Sequence, residues 1–420
     1  MVSPKVADAL AQVADQADPA AAYKLILSNI KTLSTPPTVE DDLRAIADAA
    51  LGAGLGVVAS RAVLGELVET LKGLGNHDVS TAVGRHVLAA VSASAPLASS
   101  LLEQAAALGE VVAAAHEASD EFLEAAQVLA AISLDSSQRR VGDAEKAGIW
   151  IRIVRNYLEV DDSTAAEAFL NKLKNVMHDV DDPELTLHFK LSAARIQDSN
   201  RQFLAAAQSY HDISTSAAIA EEERLHTLSM AIKCAVLAPA GPPRSRVLGR
   251  LYKDERAAAL DEYGILEKMF LDRLLAPAEV DKFAQGLAPH QLATTADGLT
   301  VLAKAVVEHN LLGASRLFSN IDFDALGLLL GLDGDKAEDT TAKMIEQGRL
   351  TGSIDQIDRI IYFESGEASG EKGSGRADVL VGKELRRWDA NVQALAEDVE
   401  RLADALQTEF PDFVAAEVAY

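Results

Sequence analysis

The residue types that most often carry out chemistry are sparse in this 420-residue chain. No two of its nine histidines form the H-x-H or H-E-x-x-H spacing that holds a catalytic zinc ion. The single cysteine, Cys234, excludes both an internal disulfide and a C-x-x-C redox or zinc pair, which fits a reducing compartment. It occupies an apolar position in a helical pattern, which is typical of a small core residue.

The segment HDVDDPE, residues 178–184, is the best candidate for a metal site, because its histidine and acids could supply nitrogen and oxygen ligands. It lacks the glycine and the distal glutamate of an EF-hand loop. Asp182, Pro183 and Glu184 instead have the order of an N-cap, a first-turn proline and a first-turn acid. The sequence therefore favours a helix cap over a metal site here.

A hydrolase site has equally weak support. His290 lies near Asp297 and several threonines in APHQLATTADG, but no nucleophile stands on a strained turn there, and a capping network is favoured. The chain has no Walker loop and no G-x-S-x-G, and the glycines of LGAGLGVV do not complete G-x-G-x-x-G. We therefore predict no catalytic residues, no metal site and no cofactor, against the competing hypothesis of an isopeptidase or hydrolase.

Composition favours a helical protein of acidic surface. Hydrophobic residues make up 49% of the chain but aromatic residues only 5%, and alanine and leucine supply most of the apolar surface. The formal net charge of −25 repels phosphates and anionic lipid surfaces and suits a partner with basic surface. Asp8, Asp15 and Asp18 stand where a signal peptide would be apolar, so we predict no targeting segment and no membrane association.

Repeats occupy the middle of the chain. The alanine pairs Ala125-Ala126, Ala165-Ala166 and Ala205-Ala206 recur at intervals of 40 residues within similar segments. A fixed period near 40 with two helices per unit is typical of a helical solenoid, whose units bury their apolar faces against each other. We expect the alanines to let neighbouring helices pack closely.

Three helices followed by a hairpin are predicted after the repeats, the order of a winged helix. We place the helices near Gly298–His309, at Asp322–Leu330 with Asp322 as N-cap, and at Asp335–Gln347 before a left-handed Gly348. The strands are predicted at Leu350–Gln356 and Arg359–Phe363. This is also the only part of the chain for which we predict strands.

Charge argues against DNA as the partner of this winged helix. Residues 321–364 contain four basic and ten acidic side chains, a net charge of −6. Binding to phosphates requires lysine and arginine, so a protein partner is favoured.

The last helix carries an apolar stripe, which we call the seam. Its residues are spaced by 4, 3, 4, 3 and 4 positions: Trp388, Val392, Leu395, Val399, Leu402 and Leu406. A heptad stripe is typical of helix–helix assembly, so we predict a subunit interface. Packing on the chain's own solenoid is the alternative. The preceding glycine-bearing ESGEASGEKGSGR is predicted to be a flexible linker.

Several of these segments resemble the PCI-domain family of complex subunits. The strongest resemblance lies in RSRVLGRLYKDER, in PHQLATTADGLTVLAKAVVEHNLLGASRLFSNI and in AKMIEQGRLTGSIDQIDRIIYFE, and it resumes at Trp388. It implies a mainly α fold: a TPR-like helical-repeat solenoid, a winged-helix PCI domain and a long C-terminal helix. We expect a repeat arm at 1–240, a PCI core at 241–363 with its winged helix at about 297–363, a linker at 364–378 and the helix at 379–415.

Within that family the segments are most similar to subunits of the COP9 signalosome, which deneddylates cullins in cullin-RING ubiquitin ligases. The resemblance implies a non-catalytic scaffold of the cytoplasm and nucleus. Its partners would be the other PCI and metalloprotease subunits, bound through winged helix and terminal helix, and neddylated cullin-RING ligases, approached by the N-terminal arm. A scaffold subunit of the 26S proteasome lid is the alternative.

Overall fold

A computed structural model describes residues 2–13, 18–52, 55–93, 99–136, 139–295, 298–364 and 378–411. It contains two compact units, residues 1–200 and 201–420, and we describe each by itself. Side chains of the last helix are described at Trp388 and from residue 391 onward. Among the described helices, none combines the length and the apolarity that crossing a membrane would require.

The first unit consists of helices whose apolar residues recur every three or four positions. In the helix Val39–Leu51, for example, Leu43, Ile46, Ala47 and Ala50 are all buried. The described helices of this unit are α1 (Pro4–Val13), α2 (Pro19–Ser28), α3 (Ile30–Leu33), α4 (Val39–Leu51), α5 (Val57–Leu74), α6 (His77–Ser92), α7 (Leu102–Ala118), α8 (Phe122–Ala130), α9 (Asp143–Glu159), α10 (Ser163–Lys174) and α11 (Pro183–Ser199).

The period of 40 residues is visible in the burial of the alanines. Ala126 and Ala166 are fully buried, on α8 and α10. Ala206 is also fully buried, at the equivalent place in the second unit. Ala165 and Ala205 are only half-buried, so one alanine of each of these pairs makes the close contact. The expectation of a helical solenoid is confirmed.

The backbone repeats with the same period. Asp120, Asp161 and Arg201 have φ of 58°, 58° and 59°, a left-handed conformation that non-glycine residues rarely adopt. Each stands just after a helix. After α7 the Glu121 N–H bonds the His116 carbonyl at 2.9 Å, which satisfies a carbonyl left open by the helix end. In each repeat, a residue in the left-handed conformation therefore makes the turn from the first helix to the second.

Ion pairs link the first helices of successive repeats in this unit. The guanidinium of Arg152 on α9 donates to Glu117 on α7 at 3.0 Å. One repeat later, Arg195 on α11 donates to Glu159 on α9 at 2.9 Å. We call these two contacts the arginine ladder.

A small sheet in the first unit was not predicted. Two-residue strands β1 (Asp135–Ser136) and β2 (Arg139–Arg140) pair antiparallel between α8 and α9. The prediction that only the winged helix contains strands was therefore wrong. Strands of two residues carry no alternating pattern, so a sequence does not reveal them.

The second unit contains nine described helices and a three-stranded sheet. The helices are α12 (Phe203–Ser214), α13 (Glu221–Leu237), α14 (Pro242–Tyr252), α15 (Tyr263–Phe270), α16 (Pro277–Ala284), α17 (Val301–Leu317), α18 (Phe323–Leu330), α19 (Gly334–Glu346) and α20 (Asp378–Glu409). The strands are β3 (Asn320–Asp322), β4 (Gly352–Asp355) and β5 (Ile360–Phe363). Three short 3₁₀ helices complete the described elements, at Met177–Asp179 in the first unit and at Glu255–Ala259 and Pro289–Leu292 in the second.

The winged helix consists of α17, α18, α19 and the sheet, with strand order β3-β5-β4 and antiparallel pairing throughout. Its core includes the buried Leu311, Phe323, Met344 and Ile361. Burial of one such side chain contributes about 2 kcal/mol. The predicted winged helix is confirmed, together with the left-handed Gly348 (φ 67°) and the N-cap Asp322, whose carboxylate accepts from the Ala325 N–H.

Two details of this region correct the sequence analysis. The first helix, α17, starts at Val301 and extends to Leu317, eight residues beyond the predicted end at His309. Strand β3 was missed, and it makes the predicted hairpin a three-stranded sheet. The predicted domain boundaries at 240 and 363 stay predictions, and most of the linker at 364–378 lies outside the described residues.

Candidate protein-contact surfaces

The seam lies on α20, a helix of 32 residues. All six predicted interface residues are on this helix, and each exposes more than a third of its surface: Trp388 64%, Val392 43%, Leu395 64%, Val399 59%, Leu402 65% and Leu406 37%. The described residues of this chain therefore do not cover the seam. An exposed apolar stripe of this length is typical of a surface that contacts another protein.

The stripe continues one step beyond the predicted set. Phe410 is 56% exposed, and its N–H bonds the Leu406 carbonyl at 2.8 Å, so the helical backbone carries it onward. Its spacing of four from Leu406 is the signal that could have found it. Polar contacts beside the stripe stay within the helix: Gln393 donates to Glu397 at 3.1 Å, and Arg401 pairs with Asp398 at 3.2 Å.

The tip of the wing is a second exposed apolar position. Ile357, in the turn between β4 and β5, is 94% exposed. The Asp355 carboxylate accepts from the N–H groups of Ile357 and Asp358 at 3.0 and 3.1 Å, which fixes the turn. On the adjoining α18, Leu328 is 86% exposed. Neither side chain was predicted as a contact residue, since single exposed apolar residues are common and form no pattern.

The wing is tied to the helices through Arg359. This residue is left-handed (φ 57°), and its guanidinium donates to Asp324 at 3.4 Å and Asp335 at 3.2 Å. The guanidinium also lies 5.2 Å from the centre of the Phe323 ring. These contacts connect the end of the hairpin to both α18 and α19.

Inside the second unit, three consecutive polar residues of α17 are buried, and we call them the EHN segment. They are Glu308 (3% exposed), His309 (0%) and Asn310 (8%). Each contacts a different part of the backbone. In the sequence, these three polar residues stand between Val306-Val307 and Leu311-Leu312. This interruption of an apolar run is the signal that could have drawn attention to them.

Glu308 holds the winged helix to the segment before α14. The Arg349 guanidinium donates to both of its carboxylate oxygens, at 2.5 and 3.0 Å. The same carboxylate accepts from the Ala240 N–H at 3.0 Å, and Arg349 donates to the Ala240 carbonyl at 3.0 Å. A bidentate pair of this kind fixes both partners in orientation. Arg349 directly follows the left-handed Gly348 that ends α19.

His309 connects two further segments. Its Nε2 donates to the Arg273 carbonyl at 2.8 Å, and its Nδ1 accepts from Arg244 at 3.4 Å. Burial and the neighbouring Arg244 charge lower the pKa of His309 to about 4, so the ring is neutral at pH 7. Burial also lowers the pKa of Arg244, to about 10, and this guanidinium keeps its charge at pH 7.

Asn310 completes the segment. It accepts from the Leu275 N–H at 2.9 Å and donates to the Leu275 carbonyl at 3.4 Å. The EHN segment therefore satisfies polar backbone groups at residues 240, 273 and 275 and thereby joins two pieces of chain to α17, one at residue 240 and one at residues 273–275.

Two of the residues considered for chemistry, Asp182 and Cys234, have structural roles. The Asp182 carboxylate accepts from the N–H groups of Glu184 and Leu185, at 2.9 and 3.4 Å, so the predicted cap of α11 is confirmed. Cys234 is fully buried, as predicted. Asp297 lies outside the described residues. Among the residues the structure describes, no group of three histidine, cysteine or acidic side chains is arranged to hold a metal ion.

Comparison with known proteins shows to which family the chain belongs. Residues 6–222 match the family model described as PSMD12/CSN4, N-terminal, and residues 267–365 match the PCI domain. A protein of Neurospora crassa, "COP9 signalosome complex subunit 4", is 64% identical over 100% of this chain and 99% of its own length. The chain belongs to the COP9 signalosome subunit 4 family.

Other members of the subunit 4 family match over nearly the same length. The Emericella nidulans protein is 50% identical over 96% of this chain and 98% of its own length. The Drosophila melanogaster protein is 36% identical over 95% of this chain and 92% of its own length. The N-terminal family model carries two protein names and does not by itself choose between them, whereas these relatives all bear the signalosome name. The resemblance noted in the sequence is confirmed.

Proposed function

We propose that this chain is a non-catalytic scaffold subunit of a COP9 signalosome, the complex that deneddylates cullins in cullin-RING ubiquitin ligases. The observation that carries the proposal is the 64% identity, over the whole chain, to a relative named as subunit 4 of that complex. The exposed seam supports it, because an apolar stripe on a long helix requires a partner to cover it.

Two surfaces would bind the other PCI and metalloprotease subunits. The seam on α20 would enter a helical bundle, where each of its six side chains inserts between residues of facing helices. The winged helix would supply the second contact. The outer strands β3 and β4 present backbone groups at the two edges of its sheet, and Ile357 stands at the hairpin tip.

The helical-repeat arm would face neddylated cullin-RING ligases. The net charge of −25 favours association with a basic partner surface and disfavours nucleic acid and anionic membranes. We place the protein in the cytoplasm and nucleus.

The proposal of a non-enzymatic role is supported by the sequence. It contains no H-x-H or H-E-x-x-H spacing for a zinc hydrolase. The buried histidine of α17, His309, is neutral and has hydrogen bonds on both ring nitrogens. That ring is held for structure, because both nitrogens are already engaged.

The experiment that tests the proposal is a native pull-down of the tagged chain, with mass spectrometry and a cullin deneddylation assay on the eluate. We expect PCI and metalloprotease subunits together with deneddylase activity. Recovery of proteasome lid subunits would replace the proposal with the lid alternative. Deneddylation by the purified chain alone would overturn the non-catalytic role.

A further inference from the structure

One stretch of this acidic chain is strongly basic. Residues 224–253 contain six lysines and arginines and no aspartate or glutamate, and no other run of the sequence is as long without an acid. The local charge is therefore +6 in a chain whose net charge is −25. The stretch forms most of α13 and all of α14, so its cations belong to two neighbouring helices of the second unit.

Three of the six cations are used within the fold. Arg224 donates to a backbone carbonyl of α12 at 3.0 Å. Lys233 pairs with Glu262 at 3.3 Å. Arg244 is buried, and it donates to the Ala238 carbonyl at 3.3 Å. Internal contacts therefore account for these three positive charges.

The other three cations share one face of α14, and we call them the cationic face. They are spaced by four and three positions, all are exposed, and none makes an ion pair with a residue that the structure describes: Arg246, Arg250 and Lys253. Lys253 follows the last residue of the helix with helical φ and ψ of −77° and −11°, so it continues the row. The opposite face of α14 is apolar and buried, at Val247, Leu248 and Leu251.

The surroundings hold the cationic face in place without neutralising it. The nearest acid in the sequence, Asp254, is engaged by the Arg256 guanidinium at 2.6 Å. Between the first two cations, a Cβ on Gly249 would lie 3.2 Å from Cε2 of Phe270, so the phenyl ring packs tightly against the helix backbone. The helix that carries the three charges is therefore fixed on one side and open to a partner on the other.

We propose that the cationic face binds a segment of a partner protein in which aspartate or glutamate recurs. At 1.5 Å per residue, its three cations stand about 6 and 4.5 Å apart along the helix. Cations that converge on one point suit a single phosphate, whereas cations in a row suit a row of carboxylates, each of which can accept two hydrogen bonds from a guanidinium. An extended segment presents alternate side chains on one side about 7 Å apart, within reach of long basic side chains.

A nucleic acid matches this surface less well. The row is only about 10 Å long, and the exposed Glu255 follows Lys253 by two positions, so phosphates beyond the row would meet an acid. The aromatic rings beside α14 are stacked on one another, with Tyr252 4.6 Å from Phe270 and 5.9 Å from Tyr263 between ring centres. Proteins that bind single strands instead present ring faces on which bases can stack.

The test is titration of the full chain against a fluorescently labelled peptide that alternates glutamate with serine, followed by anisotropy. At an ionic strength of about 0.1 M the Debye length is about 10 Å, so the peptide responds to the cationic face more than to the charge of the whole chain. We expect a dissociation constant in the millimolar range or tighter, and binding of the matching glutamine–serine peptide that is about tenfold weaker. Tighter binding of oligothymidylate, or of vesicles that contain phosphatidylserine, would overturn the proposal.

The decisive variant is Arg246→Glu with Lys253→Glu, which reverses two exposed charges and leaves the buried face of α14 intact. It should weaken binding of the glutamate peptide by about tenfold or more, with unchanged helix content by circular dichroism, because attraction becomes repulsion at two contacts. Arg155→Glu with Lys190→Glu makes the same charge change at exposed positions of α9 and α11 and should leave the affinity unchanged.

Equal affinity in the two double variants, or failure of the glutamate peptide to bind the unmodified chain, would overturn the proposal. The titration uses this chain alone, so its result does not depend on the pull-down that tests the proposed function.

Discussion

The EHN segment and the seam both break the usual rule of burial, in opposite directions. The first places a glutamate, a histidine and an asparagine inside the protein, and the second leaves six large apolar side chains on the outside. Buried polar groups are tolerated when they are hydrogen-bonded, and the EHN segment finds its partners within the chain. The seam finds no cover among the described residues. The first therefore serves folding, and we propose that the second serves binding.

The largest effect on stability should come from breaking the Glu308–Arg349 pair. Glu308→Ala leaves the Arg349 guanidinium, whose side chain is 16% exposed, without its charge partner and removes the acceptor of the Ala240 N–H. We expect a loss of roughly 3–5 kcal/mol in the free energy of unfolding, measured by urea denaturation.

Two control variants distinguish the cost of leaving a buried charge unpaired from the cost of removing a side chain. The double variant Glu308→Leu with Arg349→Met removes both charges and should recover much of that loss. Glu69→Ala breaks an exposed pair with Lys72 and should cost less than about 1 kcal/mol. Equal losses in the single and double variants would show that the ion pair does not dominate this junction.

Acidification should destabilise the EHN segment through His309. Its pKa is about 4 in the folded protein, whereas the ordinary value is 6.5, so the unfolded chain takes up a proton first as the pH falls. The stability contributed by the neutral ring is present above pH 6.5 and is lost towards pH 4, by roughly 3 kcal/mol.

The measurement is the free energy of unfolding at a series of pH values for the unmodified chain and for His309→Gln. Acidic side chains add their own pH dependence to both proteins, so the difference between the two curves isolates His309. That difference should change between pH 6.5 and 4 and stay flat above pH 6.5. Parallel curves throughout would show that His309 is not held neutral by the fold.

The seam should behave in the opposite way. Leu395 and Leu402 are 64% and 65% exposed, so Leu395→Asp with Leu402→Asp should change the free energy of unfolding by about 1 kcal/mol or less and leave helix content by circular dichroism nearly unchanged. In a native pull-down the same variant should lose its partner subunits, because two charges then stand within an apolar contact.

The matched control is Ala394→Asp with Gln407→Asp, which adds two charges to the same helix outside the stripe. It should retain the partner subunits. Loss of folding in the Leu395 and Leu402 variant would mean that the stripe packs inside this chain, and the seam would then be a second device for folding.

The smallest expected effect is at the tip of the wing. Ile357→Ser changes a side chain that is 94% exposed, so the free energy of unfolding should stay within about 0.5 kcal/mol of the unmodified value. Recovery of partners in the pull-down should fall, but by less than with the seam variant, since one side chain is altered instead of a stripe. Unchanged recovery would restrict assembly to other parts of the protein.

The sequence predicted what depends on local spacing. The heptad intervals found the seam, and helical periodicity with a capping aspartate and a terminal glycine found the winged helix. Strand β3 was missed because it has three residues, and its pairing of Asn320 with Tyr362 joins positions far apart in the chain. The EHN segment is visible in the sequence as a break in an apolar run, but the groups to which it bonds are set by tertiary contacts.

The arginine ladder of the first unit bears on how the protein forms. Its contacts join residues 35 and 36 positions apart, so each rung requires only the next helical repeat to be present. Local contacts of this kind favour rapid folding that spreads from one repeat to its neighbour. During synthesis on the ribosome, the repeats can thus become ordered one after another while the codons for α20 are still untranslated. The seam would then leave the ribosome as part of a molecule that is already largely folded. This order limits the time in which the exposed apolar side chains of the seam could associate with an unfolded chain.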